Sequence, residues 1–414
     1  MARGAGLMCV ALLGCACRAS AFATTAERTF NVKAHGQMGG SARVSRPSRS
    51  RVEMMANLMK ARRKENVDGN LFVDESCIDC DTCRWMEGRV FTREGGMSAV
   101  TRQPVTEEEK RSAYRAMVSC PTGSIRTEAP DPLVKESLSD FPVPVDVHRL
   151  PGKKKSLFVE RTVIGVFHLG YHAENTFGAS PWLVVQEGGT GNVMVDSPRY
   201  NARLADLMEA AGGVEFMLLT HIDDKFPKFT PILDFSRWAE HFPSMKRVMH
   251  AAELRRGHSV SNVELVLDQA SATGSFRGLD TWDLGPGLRV LHTPGHTEGS
   301  LTLLYRCDDD GSPGEVDGVA FTGDHLGYSS RMGALTGFGR YNRFGLGRQA
   351  ESIRALASPD LHMRRVAVME YLNESTWILP GHGRMAHFPD EATRSRDILQ
   401  AADVLEGVPS GAPK

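Results

Sequence analysis

Leu288-Arg-Val-Leu-His292-Thr293-Pro-Gly-His296-Thr-Glu-Gly-Ser300 is a short apolar run that stops at a Pro-Gly turn carrying a histidine. Three other stretches share this form. Val214–Leu219 leads into Thr220-His221-Ile222-Asp223-Asp224, Gly318–Ala320 into Phe321-Thr-Gly-Asp324-His325, and Thr376–Ile378 into Leu379-Pro-Gly-His382-Gly383. Short apolar runs bounded by turn residues read as strands. Each strand-to-loop junction here presents a side chain of the kind that ligates a metal. A lone loop histidine is most often structural. Four such junctions at one rim of a sheet sandwich can converge on an ion.

Between these junctions the chain alternates. Asn192–Asp196 reads as a strand and Asn201–Ala211 as an amphipathic helix closed by Gly212-Gly213. From Ser156 to Glu406 this alternation argues α/β packing. The motif order H-x-D, TPGHT-x-GS, TGDH and PGHG resembles the metallo-β-lactamase superfamily over Leu157–Met385. The resemblance implies an αββα sandwich with its metals at one edge. His221 matches a first ligand, Asp324 resembles the bridging carboxylate, and His296 and His382 resemble the downstream ligands.

The first metal loop departs from that pattern. Most members carry H-x-H-x-D-H, whereas here the loop is His221-Ile222-Asp223-Asp224-Lys225-Phe226. Asp223 takes the second histidine position. Lys225 and Phe226 stand where a second metal expects Asp and His, and the nearest substitute is Asp234-Phe235. His221, Asp223, His296 and Asp324 suffice for one ion with an open position. Asp324, His382 and Asp224 are left for a second, which Lys225 disfavours electrostatically. One well-occupied transition-metal site and a weak or empty second one are expected, and mixed His/Asp ligands admit Zn, Fe or Mn.

Upstream, Asn70–Met86 reads NLFVDESCIDCDTCRWM, with Cys77, Cys80 and Cys83 as C-x-x-C-x-x-C and Cys120-Pro121 far downstream. Three closely spaced thiolates can cap one face of a cuboidal iron–sulfur cluster, and a remote fourth can close it. Zinc is the competitor, since C-x-x-C pairs also make zinc knuckles. The third cysteine and the Cys-Pro favour a [4Fe–4S] cluster. A strand at Asn70–Val73, a turn at Glu94-Gly95-Gly96 and a helix over Thr106–Val118 with Thr106 as N-cap would return Cys120 to the triplet. Asn70–Thr127 resembles a single-cluster bacterial-type ferredoxin. Joined to Gly170–Ala179 (GYHAENTFGA) and Val195–Asn201 (VDSPRYN), it resembles the ferredoxin-fused metallo-β-lactamase-fold proteins of cyanobacteria and plastids.

The remaining segments are organisational. The division expected is 1–60 presequence, 65–127 ferredoxin-like α+β domain, 128–155 linker and 156–406 sandwich. Residues 1–50 hold Glu27 against Arg3, Arg18, Arg28, Lys33, Arg43, Arg46 and Arg49. Such acid-poor composition reads as targeting sequence. The stretch Ala19-Ser-Ala-Phe22-Ala23 resembles the bipartite presequences of algae with complex plastids, which implies a chloroplast destination. Pro130, Pro132, Pro142, Pro144 and Pro151 predict an extended spacer. Cys9, Cys15 and Cys17 fall in the presequence, and lone Cys307 reads as a buried apolar residue. A net charge of −1 gives no nucleic-acid signal, and no apolar run is long enough for a membrane span.

Three functions fit. A metal-dependent hydrolase would cleave a small-molecule ester, thioester or phosphoester, with Asp224 orienting or deprotonating the attacking water. An iron–sulfur oxidoreductase would pass electrons between a redox partner protein and the metal or substrate. A non-catalytic module would sense redox state or bind a partner through the cluster. His168 and His172 read as core or rim residues, His250 and His292 as hydrogen-bonded strand-end residues, and Arg340–Phe344 as a solvated loop, with the lining of a pocket for an anionic substrate as the alternative.

Overall fold

The computed structural model describes residues 60–146, 162–186, 191–222, 232–254, 263–306, 318–357, 371–372 and 375–407. The expected presequence up to residue 59, Cys9, Cys15, Cys17, Cys307, and the candidate site residues Asp223 and Asp224 with Lys225 lie outside them. Ser50–Lys414 is one compact unit. No helix among the described residues is long and apolar enough to cross a membrane.

Two seven-stranded sheets face one another. The first runs, in spatial order, Leu265–Leu267, Lys246–His250, Phe216–Leu218, Val193–Val195, Trp182–Val184, Thr162–His168 and Val143–Asp146. The second runs Gly274–Phe276, Leu279–Gly285, Leu288–His292, Leu301–Arg306, Gly318–Gly323, Ser375–Pro380 and Ala386–His387. Period-two alternation decides which layer each side chain enters. Val290, Leu303, Val319, Phe321 and Trp377 meet Val166, Trp182, Val195, Leu218 and Val248 between the sheets. Their neighbours Leu291, Leu304, Ala320 and Ile378 point the other way, onto Leu346–Leu356 and Glu391–Glu406. On the opposite side, Leu183, Met194 and Met217 pack with helices Ala202–Ala210 and Ile232–His241. Both faces of each sheet are therefore dry, which is why these strands read as continuous apolar runs. The layer order is helix, sheet, sheet, helix.

The N-terminal part has its own core of Leu71, Val73, Phe91, Val100, Ala113, Tyr114 and Ile125. Leu71–Val73 pairs antiparallel with Ile125–Thr127, and Phe91–Glu94 with Met97–Val100. The helix Glu107–Ser119 begins with a full capping box, Thr106 accepting from the Glu109 amide and Glu109 reaching back to Thr106. Its C-cap is Cys120.

The expected spacer 128–155 is structured over much of its length. Pro132–Ser137 is a helix whose N-cap, Asp131, accepts from the Leu133 amide. Val143–Asp146 is the edge strand of the first sheet, paired with Thr162–His168. Phe141, Val143 and Val145 are buried. Pro144 is tolerated because an edge strand has one row of N–H groups without a ladder partner.

Candidate functional site

The first site lies in the N-terminal core. Asp79 and Asp81 take left-handed backbone, φ 60° and 71°, which short polar residues tolerate. They wrap the Cys77–Cys83 loop and are clamped by Arg84, whose Nη1 donates to Asp79 at 2.7 Å and Nε to Asp81 at 2.6 Å. Cys83 and Cys120 are buried, and Cys77 and Cys80 half-buried. Burial first, and then the charges of Cys120 and Cys77, push the Cys80 thiol up to about 12. Cys83 is held well above its ordinary value by burial and by Cys80. Thiols crowded this way need bound cations to become thiolates.

Among the described residues, two groups bring three ligand atoms within 4.8 Å of one another: His221, His296 and Asp324, and the more exposed Asp206, Glu209 and His241. The cysteines are in neither. Three close cysteines and a remote fourth, set in one buried to half-buried pocket, are a ligand set that fits a cuboidal cluster. Donors surround it. The Ser124 amide points at Cys120 Sγ at 3.3 Å, and Thr82 Oγ1 lies 3.4 Å from Cys80 Sγ.

The second site is at the rim of the sandwich. His221 and Asp324 follow strands Phe216–Leu218 and Gly318–Gly323, His296 follows Leu288–His292, and His382 follows Ser375–Pro380. His221 Nε2 and His296 Nε2 lie 3.5 and 3.8 Å from Asp324 Oδ2. His382 stands outside that trio, with Nδ1 at 2.7 and 2.8 Å from the two Asp324 oxygens. Burial pulls the His221 pKa down, but Asp324, then Asp196 and Glu253, push it up to about 9. Burial alone would raise Asp324, yet His382 and His221 hold it well below the carboxylate range. An anion held between imidazoles is a donor set that fits a divalent transition-metal ion. His221, His296 and Asp324 are brought together, and His382 braces Asp324 from the side.

Several residues not foreseen as site components support this rim. Half-buried Asp196 accepts from Thr220 through its amide at 2.9 Å and its hydroxyl at 3.0 Å. Thr220 Oγ1 in turn meets His221 Nδ1 at 3.0 Å. Buried Glu253 accepts from the amides of Gly299 at 2.7 Å and Ile222 at 3.1 Å, tying the first and second metal loops together. Asp196 could have been suspected from its place at a strand end; Glu253 carries no sequence signal. The Arg340–Phe344 segment, expected as a solvated loop, is anchored here: the Arg343 amide donates to His296 O at 2.7 Å. His292 Nε2 meets Glu298 O at 2.9 Å, a strand-end hydrogen bond as expected.

His168 and His172 sit where the two parts meet. His172 Nδ1 lies 2.8 Å from Gly178 O and 3.2 Å from Thr82 Oγ1, and its Nε2 lies 2.8 Å from His168 Nε2. Burial, with His382 and Arg199 adding to it, lowers the His172 pKa to about 3. Trp85, two residues past Cys83, enters the inter-sheet core with its ring 5.2 Å from that of His168.

Residues 73–127 match the family described as the 4Fe-4S single cluster domain of Ferredoxin I. No curated protein matches the chain. Among solved structures, it is similar to a metallo-β-lactamase from Hirschia baltica, with 16% identity, 58% of this chain and 93% of that one covered, and a TM-score of 0.36. DIM-1 metallo-β-lactamase gives 14% identity, 61% and 99% coverage and 0.39. A metallo-β-lactamase from Staphylococcus aureus gives 14% identity, 63% and 69% coverage and 0.38. These scores are too low to carry the fold, which rests on the four layers and the four rim loops. Residues 73–127 thus match a single-cluster 4Fe-4S ferredoxin domain, and they are joined to a four-layer αββα sandwich.

Proposed function

We infer that the protein is a metal-dependent hydrolase of the ester or thioester class, with Cys77, Cys80, Cys83 and Cys120 holding its [4Fe–4S] cluster. The observation that carries this is the convergence of His221, His296 and Asp324, with ligand atoms within 4.8 Å of one another at the rim of the sandwich. When bound, the metal supplies an acidified water and polarises the substrate carbonyl. The remaining work belongs to the chain. Asp196 and Thr220 fix the His221 ring so that Nε2 faces the site, an outer-shell role that sharpens affinity. His382 keeps the Asp324 carboxylate ionised and oriented. Asp224, beyond the described residues, is assigned the proton from the attacking water. Exposed Phe177, Tyr341 and Phe344 near the rim loops favour an acyl or aryl group on the substrate.

Turnover of a p-nitrophenyl ester and a short acyl thioester by the full chain, purified anaerobically and loaded with Zn or Mn, tests this. His296→Ala is expected to lower kcat/KM by at least ~100-fold and metal affinity with it. His382→Ala is expected to cost about tenfold, since it acts through Asp324. Metal-saturated protein that cleaves neither substrate would remove the hydrolase assignment.

A further inference from the structure

A hydrolytic metal needs no electrons, yet one short loop of this chain touches both the cysteine pocket and the rim. Gly178 is packed so tightly on the pocket that a Cβ there would lie 2.9 Å from Cys80 Cβ, 3.2 Å from Cys80 Sγ and 3.1 Å from Pro121 Cγ. The carbonyl of the preceding residue, Phe177, meets His382 Nε2 at 3.3 Å. The Phe177 ring centroid lies 6.3 Å from that of His382. His382 Nδ1 then contacts Asp324 at 2.7 Å. From the Cys80 sulfur to Asp324 the route is covalent or hydrogen-bonded except for one van der Waals step.

The loop is held rigid along its length. The amides of Phe177 and Gly178 donate to Glu174 O at 3.0 Å and Ala173 O at 2.9 Å, and the Ser180 amide to Gly381 O at 2.7 Å. His172 Nδ1 donates to Gly178 O and approaches Thr82 Oγ1, which accepts from the Cys80 thiol at 3.4 Å. This loop therefore keeps a cluster ligand and a rim histidine at fixed separation.

We propose that Phe177–Gly178 is an electron path joining Cys80 to His382 and Asp324, so that the chain carries out an intramolecular one-electron transfer. The proposal uses the same rim site as the hydrolase reading. In the step, the reduced cluster loses one electron and returns to its oxidised state. A trivalent first-row ion held by His221, His296 and Asp324 would gain it and become divalent. No bond to carbon forms or breaks. The electron reaches the cluster from a low-potential one-electron carrier protein, for which dithionite substitutes in vitro. The transfer would give the cluster a use: a rim ion oxidised to the trivalent state by dioxygen would be returned to the divalent state.

The test uses full-length protein with the cluster intact and the rim loaded with Fe(III) or, separately, Zn(II). Each is mixed anaerobically with less than one equivalent of dithionite and freeze-quenched for electron paramagnetic resonance. With iron, the reduced-cluster signal should be transient and the high-spin ferric signal should fall by the same number of spins. With zinc, the reduced-cluster signal should persist. Mn(II) at the rim should broaden the reduced-cluster signal. A ferric signal that survives for minutes beside a reduced cluster overturns the path. So does ferric loss at an unchanged rate in cluster-free Cys77→Ala protein, which would mean direct reduction. The readout is independent of turnover. Zinc-loaded protein that cleaves ester while the ferric form stays oxidised would keep the hydrolase and lose the path; the opposite pair of results would do the reverse.

Discussion

At the scale of single residues, the informative groups are those whose environment opposes their charge. His172 is neutral in the folded chain down to about pH 3, against an ordinary value of 6.5. Below 6.5 the unfolded chain takes up a proton there that the folded chain refuses. The neutral His172 contribution is therefore complete above pH 6.5 and lost progressively as pH falls toward 3, at up to about 1.4 kcal/mol per pH unit. Full-length protein should melt at lower temperature at pH 5 than at pH 7.5. His172→Gln, which can still donate but never charges, should show a shallower decline across that interval in differential scanning calorimetry. Parallel declines in the two proteins would mean that His172 is not the group responsible. Charges clamp the cluster pocket as well, where Arg84 satisfies Asp79 and Asp81 at once. Nothing in C-x-x-C-x-x-C announces that arginine, because its role depends on the left-handed turns at both aspartates.

At the scale of elements, the rim is built by close approach between loops. Gly323 has φ +51°, and a Cβ there would meet Thr220 Cβ at 2.7 Å. Thr220 carries the contacts to Asp196 and His221. Gly323→Ala should separate His221 from Asp324, lower metal affinity about tenfold or more, and cost about 1–3 kcal/mol of stability. Chelator competition and denaturant unfolding read the two effects; wild-type affinity in the variant would show that this approach does not set the site. Much at this scale was legible beforehand. The helix over Thr106–Val118 with Thr106 as cap is observed as Glu107–Ser119 with its capping box, because that signal is local. The proline-rich stretch after Thr127 misled, because an edge strand accepts prolines that a central strand would not.

For the whole molecule, the two parts share core. Trp85 of the cluster-bearing segment packs between the sheets, and Phe141, Val143 and Val145 complete the first sheet and its helix layer. Arg199 donates to the carbonyls of Val118 and Cys120, and Arg384 to that of Arg84. A fragment starting near Lys153 would lose the edge strand and these side chains. Each large buried side chain removed costs about 2–5 kcal/mol, against a total stability of about 5–15 kcal/mol. Such a fragment should aggregate or melt without cooperativity, whereas the full chain melts cooperatively. Circular dichroism melts and gel filtration decide it, and a fragment melting within a few degrees of the full chain would contradict the shared core.

The sequence alone determined the fold class and most of the candidate ligands. Strand period, Pro-Gly turns and cysteine spacing are encoded within a few residues of each other, so His221, His296, Asp324, His382 and the four cysteines could be named from it. Only the tertiary structure decided which of them meet. It placed His382 against Asp324 rather than among the three closest ligand atoms. It made Asp196 and Glu253 part of the site, and seated Gly178 against Cys80 with Phe177 facing His382. These contacts join segments far apart in the chain, and they are fixed by how two sheets and a small cluster domain pack, which no local pattern specifies.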